Sequence, residues 1–202
     1  METQMDKVSY IIGRQIGEDF KKQGLEISTD IFASGIQSAL RGEESKLSSQ
    51  EITETMNAFQ AHMSAQLEKE ALIQGEVGLK YLEENKVKEG VKTTPTGLQY
   101  KVLTSGDGSG KKPTINDSVE VNYEGKLIDG TIFDSSYARG QSISFPVSGV
   151  IAGWTEALQL MSEGDTWELT IPSILAYGSQ GAGAQIPPHS TLVFKVELIA
   201  VK

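Results

Sequence analysis

Hydrophobic positions follow two rhythms along this chain, and the change from one to the other falls near Pro95. From Asp6 to Gln23, the apolar residues Val8, Ile11, Ile12, Ile16 and Phe20 recur at spacings mostly of three and four, the period of an amphipathic helix. Gly24 supplies its C-terminal stop. A second helix is expected to start after Ser28 or Thr29, to set Ile31, Phe32, Ile36 and Leu40 on one side, and to stop at Gly42. Helices this short do not stand alone in water, so both need a packing partner.

Ser48-Ser49-Gln50-Glu51 reads as a capping box, in which the Ser48 oxygen accepts from the amide three residues on and Glu51 reaches back. A long helix should follow through Met56, Phe59, Met63, Leu67, Leu72, Leu79 and Leu82 to about Glu89, roughly 40 residues and about 60 Å at 1.5 Å per residue. Beyond Gln66 its apolar positions are too sparse for a coiled-coil seam, which predicts a solvent-exposed stalk. Gly75 and Gly78 each weaken it by up to about 1 kcal/mol relative to alanine, leaving room for a bend. A stalk leading away from two helices that expose an apolar face predicts burial against the same face of a second chain. The expected result is a homodimer, with Gly13 and Gly17 allowing close helix approach. Packing of those glycines within one chain is the alternative.

After Thr93-Thr94-Pro95 the period changes to two. Leu98 to Leu103, Ser118 to Tyr123, Thr166 to Ile171 and Thr191 to Leu198 alternate as half-buried strands, and Asp129-Gly130 signals a hairpin turn. One helix, about Gly149 to Met161, offers Val150, Trp154, Leu158 and Met161 to a sheet. The fold class is therefore α+β: helical domain 1–47, stalk helix 48–92, and a third part, 93–202, in which an antiparallel sheet wraps one short helix.

Composition narrows the function classes. A net charge of -9 and a pI near 4.8 repel phosphate, and no basic run is longer than Lys111-Lys112, so no nucleic-acid role is expected. The chain has no cysteine, which removes disulfides, thiolate nucleophiles and Cys-ligated metals. No apolar run approaches the roughly 18 residues of a membrane span. Residues Met1 to Lys7 carry no secretory signal pattern, so the expectation is cytoplasmic, or periplasmic if a signal has been removed. There are two histidines, His62 in the stalk and His189 after a diproline, which leaves neither a Ser/His/Asp triad nor a His-based metal site. No metal and no cofactor are expected. The segment Gly106 to Lys112 lacks the GxxxxGK[ST] spacing of a phosphate loop and reads as a mobile hairpin loop.

What remains is an ordered set of aromatic and small apolar residues: Val121-Asn122-Tyr123, Gly130-Thr131-Ile132-Phe133-Asp134-Ser135-Ser136, Val150-Ile151-Ala152-Gly153-Trp154, Ala176-Tyr177-Gly178, Ile186-Pro187-Pro188-His189 and Leu192-Val193-Phe194. From about residue 95 to Lys202 this order resembles the FKBP family of peptidyl-prolyl cis/trans isomerases. The first ninety residues resemble its dimeric bacterial branch, which includes the macrophage infectivity potentiator type, through Val8-Ser9-Tyr10-Ile11-Ile12-Gly13, Phe20-Lys21-Lys22-Gln23-Gly24 and Gly78-Leu79-Lys80-Tyr81-Leu82-Glu83-Glu84-Asn85.

The resemblance implies an FKBP fold and an apolar pocket that turns Xaa-Pro bonds without a nucleophile. It implies Trp154 as the floor under the proline ring, with Tyr123, Phe133, Val150, Ile151 and Phe194 as walls. It implies that the Ile151 N–H and the Tyr177 hydroxyl hold substrate carbonyls. Asp134, tied to Tyr123 and Arg139, is expected near the rotating carbonyl, with Ile186 on the flap. From the residues alone, Trp154 and Phe194 read first as core; Asp134 argues against that, because an acid there is costly to bury unpaired. Many relatives carry a second phenylalanine where this chain has Ile143, followed by Phe145; on the flap, Ala182 and Gln185 stand where some have histidine and an aliphatic residue. The implied partners are proline-containing unfolded or partly folded polypeptides and rapamycin-class macrolide inhibitors. A chaperone working mainly between the arms of the dimer is the rival reading.

Overall fold

In the computed structural model, which describes residues 3–202, the helical rhythm gives α1 Gln4–Lys22, α2 Thr29–Leu40 and α3 Ser49–Asn85. Met1 and Glu2, the start of the segment read for a secretory signal, lie outside the described residues. The chain divides into two compact units, Met1–Gln60 and Ala61–Lys202, the division falling inside α3. No helix among the described residues is long and apolar enough to cross a membrane.

In the first unit α1 begins two residues earlier than its apolar period implies. Thr3 and Asp6 form a reciprocal capping box, with Thr3 N–H donating to Asp6 at 2.9 Å and Asp6 N–H to Thr3 Oγ1 at 3.1 Å. Gly24 and Gly42 both take φ of 66°, ending α1 and α2 where glycine alone is unstrained. Phe20 and Phe32 meet edge to face at 5.6 Å, yet neither helix contains a buried residue. The Ser48–Glu51 box caps α3, with Glu51 N–H donating to Ser48 Oγ at 3.2 Å and Ser48 N–H to Glu51 at 2.8 Å.

In the second unit α3 ends at Asn85, four residues short of the expected stop. The Asn85 side chain is taken by Gln99 and Thr170, and the chain turns at Gly90 (φ 80°) into the next strand. The strands are β1 Val91–Thr93, β2 Gln99–Thr104, β3 Ser118–Leu127, β4 Ile132–Ser135, β5 Ile143–Pro146, β6 Thr166–Ile171 and β7 Leu192–Val201. They form one antiparallel sheet in the order β1-β2-β6-β7-β3-β4. The free edge of β3 is shared, with β5 along Ser118–Val121 and β4 along Glu124–Lys126. The short strands β1, β4 and β5 leave no period along the chain, because each has too few residues to show alternation. Two helices complete the unit, α4 Ser136–Arg139 and α5 Ala152–Leu160.

The core lies between α5 and one face of the sheet. On β3, Val119, Val121, Tyr123 and Gly125 alternate inward; Trp154, Ala157 and Leu158 of α5, followed by Met161, pack over them. Gly153 permits the close approach, because a Cβ there would lie 2.5 Å from Ile171 Cγ2. The loop from Gly106 to Lys112 is pinned rather than loose: Gly106 N–H donates to Asp165 at 2.8 Å and Lys111 N–H to Glu163 at 3.1 Å.

Candidate active site

A cavity of about 770 Å³ opens at the N-terminal end of α5. Its centre is an aromatic box. Trp154, 4% exposed, meets Tyr123 at 5.2 Å, Phe194 at 5.3 Å and Phe145 at 6.1 Å, each ring edge to face. Phe133 meets Phe194 in the same way at 5.6 Å. These rings converge because β3 and β7 put Tyr123 and Phe194 on one face of the sheet, while β4 brings Phe133 across Gly125. A Cβ on Gly125 would lie 2.6 Å from Phe194 and 2.7 Å from Phe133, so only glycine leaves both rings room.

Asp134 sits at the mouth of the box. It accepts hydrogen bonds from the Tyr123 hydroxyl and from the Arg139 guanidinium, and Arg139 also donates to the Tyr123 oxygen at 3.1 Å. Burial pushes the Asp134 carboxyl up, but the hydrogen bonds from Tyr123 and Arg139 and the guanidinium charge outweigh it and hold the group below the ordinary aspartate range. Burial, and then the bond to Asp134, push the Tyr123 phenol up. The serines beside the acid build its frame. Ser135 Oγ accepts from Ala138 N–H at 3.2 Å and caps α4, and buried Ser136 accepts from the Tyr123 N–H at 2.8 Å. Helix α4 then ends at Gly140 (φ 68°), which sets Arg139 back over the acid.

Two donors open on the cavity. Ile151 is the N-cap of α5; its carbonyl accepts from Trp154 and Thr155, while its own N–H has no acceptor among the described residues. The Tyr177 hydroxyl, on a half-exposed residue of the lining, likewise has no hydrogen-bond partner among them. The flap is a tight turn in which Ala182 and Ile186 exchange backbone hydrogen bonds of 2.8 and 3.1 Å. Ile186 closes the rim.

Of the residues singled out in the sequence, Tyr123, Phe133, Asp134, Phe145, Val150, Ile151, Trp154, Tyr177, Ile186 and Phe194 line this one cavity. Arg139 stands behind Asp134 rather than in the lining. Ile143 is not brought to the cavity; it pairs with Val121 on β5 and packs on the core, whereas the longer Phe145 ring reaches Trp154. Gly149, Ala182 and Gln185 complete the lining. Ala182 and Gln185 belong to the flap already read from the run before Pro187; for Gly149 the available signal was a small residue at the entry to α5.

Comparison with known proteins bears on the same residues. A family model described as FKBP-type peptidyl-prolyl cis-trans isomerase matches residues 109–199, and one described as the domain amino terminal to it matches residues 5–102. The FKBP-type 22 kDa peptidyl-prolyl cis-trans isomerase of Escherichia coli strain K12 is 46% identical over 96% of this chain and 94% of that protein. The chain belongs to the FKBP-type peptidyl-prolyl cis-trans isomerases. The Outer membrane protein MIP of Legionella longbeachae is 44% identical, the match covering 100% of this chain and 88% of that one. The crystal structure of FkpA from Escherichia coli superposes with a TM-score of 0.76 at 41% identity, covering 100% of this chain and 98% of its own. The sheet wrapped on α5 is thus the FKBP fold, and the activity is cis/trans isomerisation of peptidyl-prolyl bonds.

Proposed function

We propose that the Xaa-Pro bond turns inside the aromatic box. The proline ring lies on Trp154 between Tyr123, Phe133, Val150 and Phe194, and the Ile151 N–H and Tyr177 hydroxyl hold substrate carbonyls. The observation that carries this is the pair of open donors on a cavity walled by aromatic rings. Rotation must cross an amide barrier of about 18–20 kcal/mol. The planar amide carries the larger charge separation, so apolar walls that strip water from it favour the twisted form. Fixed donors add stabilisation without reorganising as the bond turns. Asp134, kept charged by Tyr123 and Arg139, faces the rotating carbonyl. Exchange spectroscopy on an Ala-Leu-Pro-Phe peptide tests this. Tyr177→Phe and Trp154→Leu are expected to lower catalysed exchange about tenfold or more, and a rapamycin-class macrolide to block it in the native protein. Full activity in both variants would move the site elsewhere.

We further propose the three-part organisation 1–47, 48–92 and 93–202, working as a homodimer through α1 and α2 that presents two isomerase domains to one unfolded or partly folded client. The supporting observation is apolar surface left bare in the single chain: Ile31 is 73% and Leu40 82% exposed, and no atom lies within 4 Å of a Cβ placed on Gly13 or Gly17. Two weak sites on one client gain avidity, which makes chaperone action on unfolded chains the second reading. Analytical ultracentrifugation of the full chain decides the dimer, and suppression of client aggregation by a Trp154→Leu dimer decides chaperone action without turnover. For the compartment, the name of the Legionella relative weighs toward the periplasmic alternative over the cytoplasmic one.

A further inference from the structure

His189 is the one non-glycine residue with positive φ among the described residues, at 60°. That region crowds any residue with a Cβ, so neighbouring contacts must hold it there. One is the hydrogen bond from His189 N–H to the Gly178 carbonyl, at 2.8 Å, next to Tyr177 on the cavity rim. The other is α3. A Cβ on Gly75 would lie 3.5 Å from His189 Cβ, an ordinary contact. One turn on, Gly78 is buried, and a Cβ there would lie 2.6 Å from Thr191 Oγ1 and 3.3 Å from Thr191 Cβ.

The same helix face continues to Leu82 and Asn85 and is fastened to the sheet. Gln99 Nε2 donates to the Leu82 carbonyl at 2.8 Å, and Asn85 Nδ2 donates to Gln99 at 2.9 Å and to Thr170 at 3.2 Å. Spacings of three and four put Gly75, Gly78, Leu82 and Asn85 on one stripe. The segment from Pro187 to Thr191 is therefore pressed between this stripe and the rim, braced by Ser190 Oγ donating to the Pro187 carbonyl at 2.7 Å. It follows directly on Ile186 of the flap.

We propose that Gly78 is a positioning residue for the isomerase. The close approach of α3 to Thr191 at Gly78 sets the 187–191 segment, and through it the places of Ile186 and, by the His189–Gly178 bond, of Tyr177. The contact of α3 with Thr191 at Gly78 then acts on turnover from outside the cavity, and a load that shifts this contact alters turnover. This rests on the reading that substrate occupies the cavity beside Tyr177.

The test uses the full chain with a short prolyl peptide. Gly78→Ala is expected to lower kcat/KM about tenfold, a decade below the roughly 100-fold that a 1 Å misplacement costs. It should also shift the NMR amide signals of Tyr177, Gly178 and His189. Gly78→Ala combined with Thr191→Ala, which removes the clashing oxygen, should return to the rate of Thr191→Ala alone. Gly75→Ala, for which there is space, should stay within about twofold of the native rate. A folded Gly78→Ala protein with native kcat/KM, or a loss that Thr191→Ala does not relieve, overturns the proposal. If Gly78→Ala does not fold, hydrogen exchange of the native protein decides. Saturating peptide should slow exchange of the 75–82 amides, because coupling between two sites is reciprocal; unchanged exchange overturns the proposal. Native activity in Tyr177→Phe and Trp154→Leu would instead remove the cavity reading beneath it.

Discussion

Gly125→Ala is the sharpest probe of the aromatic box, because it adds one carbon beneath two of its walls and leaves every polar group in place. The new carbon would lie 2.6 Å from Phe194 and 2.7 Å from Phe133. Against a comfortable carbon contact of about 3.5 Å, the shortfall is about 0.9 Å on the Phe194 side and about 0.8 Å on the Phe133 side. Neither ring can yield freely, since Phe194 is edge to face with Trp154 at 5.3 Å and with Phe133 at 5.6 Å. Overpacking of this kind costs about 1–3 kcal/mol, of which the lower chain entropy of alanine returns about 0.5–1 kcal/mol. The net is about 0–2.5 kcal/mol, or a melting midpoint lower by up to about 10 °C. The effect on turnover is larger, because walls displaced by nearly 1 Å spoil the fit to the twisted amide and should lower kcat/KM by about 100-fold. Gly130→Ala is the control: its φ of 92° makes the substitution strained, but no atom lies near the added carbon and the exposed turn is away from the lining. It should lose stability and keep native turnover. Peptide exchange rates and thermal unfolding of the two variants, measured side by side, decide the matter. Native kcat/KM in Gly125→Ala would falsify the argument that packing across Gly125 sets the width of the cavity.

Further outcomes follow from single contacts. Tyr123→Phe removes the hydroxyl that donates to Asp134, so the Asp134 carboxyl should titrate higher by NMR and stability should fall by about 1 kcal/mol, the low end for a charged hydrogen bond at a partly solvated site. The folded Asp134 carboxyl lies below its ordinary value, so its contribution to stability is complete above about pH 5 and is lost as pH falls through the folded value. Peptide turnover should accordingly be flat from about pH 5 to 8 with respect to this group, and a midpoint near 6 that vanishes in Asp134→Asn would refute the assignment. Asn85→Ala leaves Gln99 and Thr170 without their buried partner and should cost about 1–3 kcal/mol in urea unfolding. A fragment starting at Thr94, which lacks Leu82 and Asn85, should unfold at lower urea than one starting at Ala61; equal midpoints would show that α3 contributes nothing to the isomerase domain.

The sequence by itself determined the two rhythms and their order. Apolar spacing located α1, α2 and α5, the Ser48–Glu51 box located the start of α3, and alternation located β2, β3, β6 and β7, because each of these signals is local and repeats within one element. The ordered aromatic segments carried the family resemblance, and most of the residues it named do converge on one cavity. Tertiary structure alone decided the rest. Ile143 and Phe145 share a strand face, but which of them reaches Trp154 depends on side-chain length across a gap that no spacing encodes. Gly125, just past the alternation that ends at Tyr123, carries no signal along the chain until two rings from other strands are seen lying over it. Gly78 reads as a soft point of the stalk with room for a bend, whereas in the fold its missing side chain lets the helix touch Thr191, more than a hundred residues away. Local propensity is written in neighbours along the chain; close approach is a property of surfaces that meet only after folding.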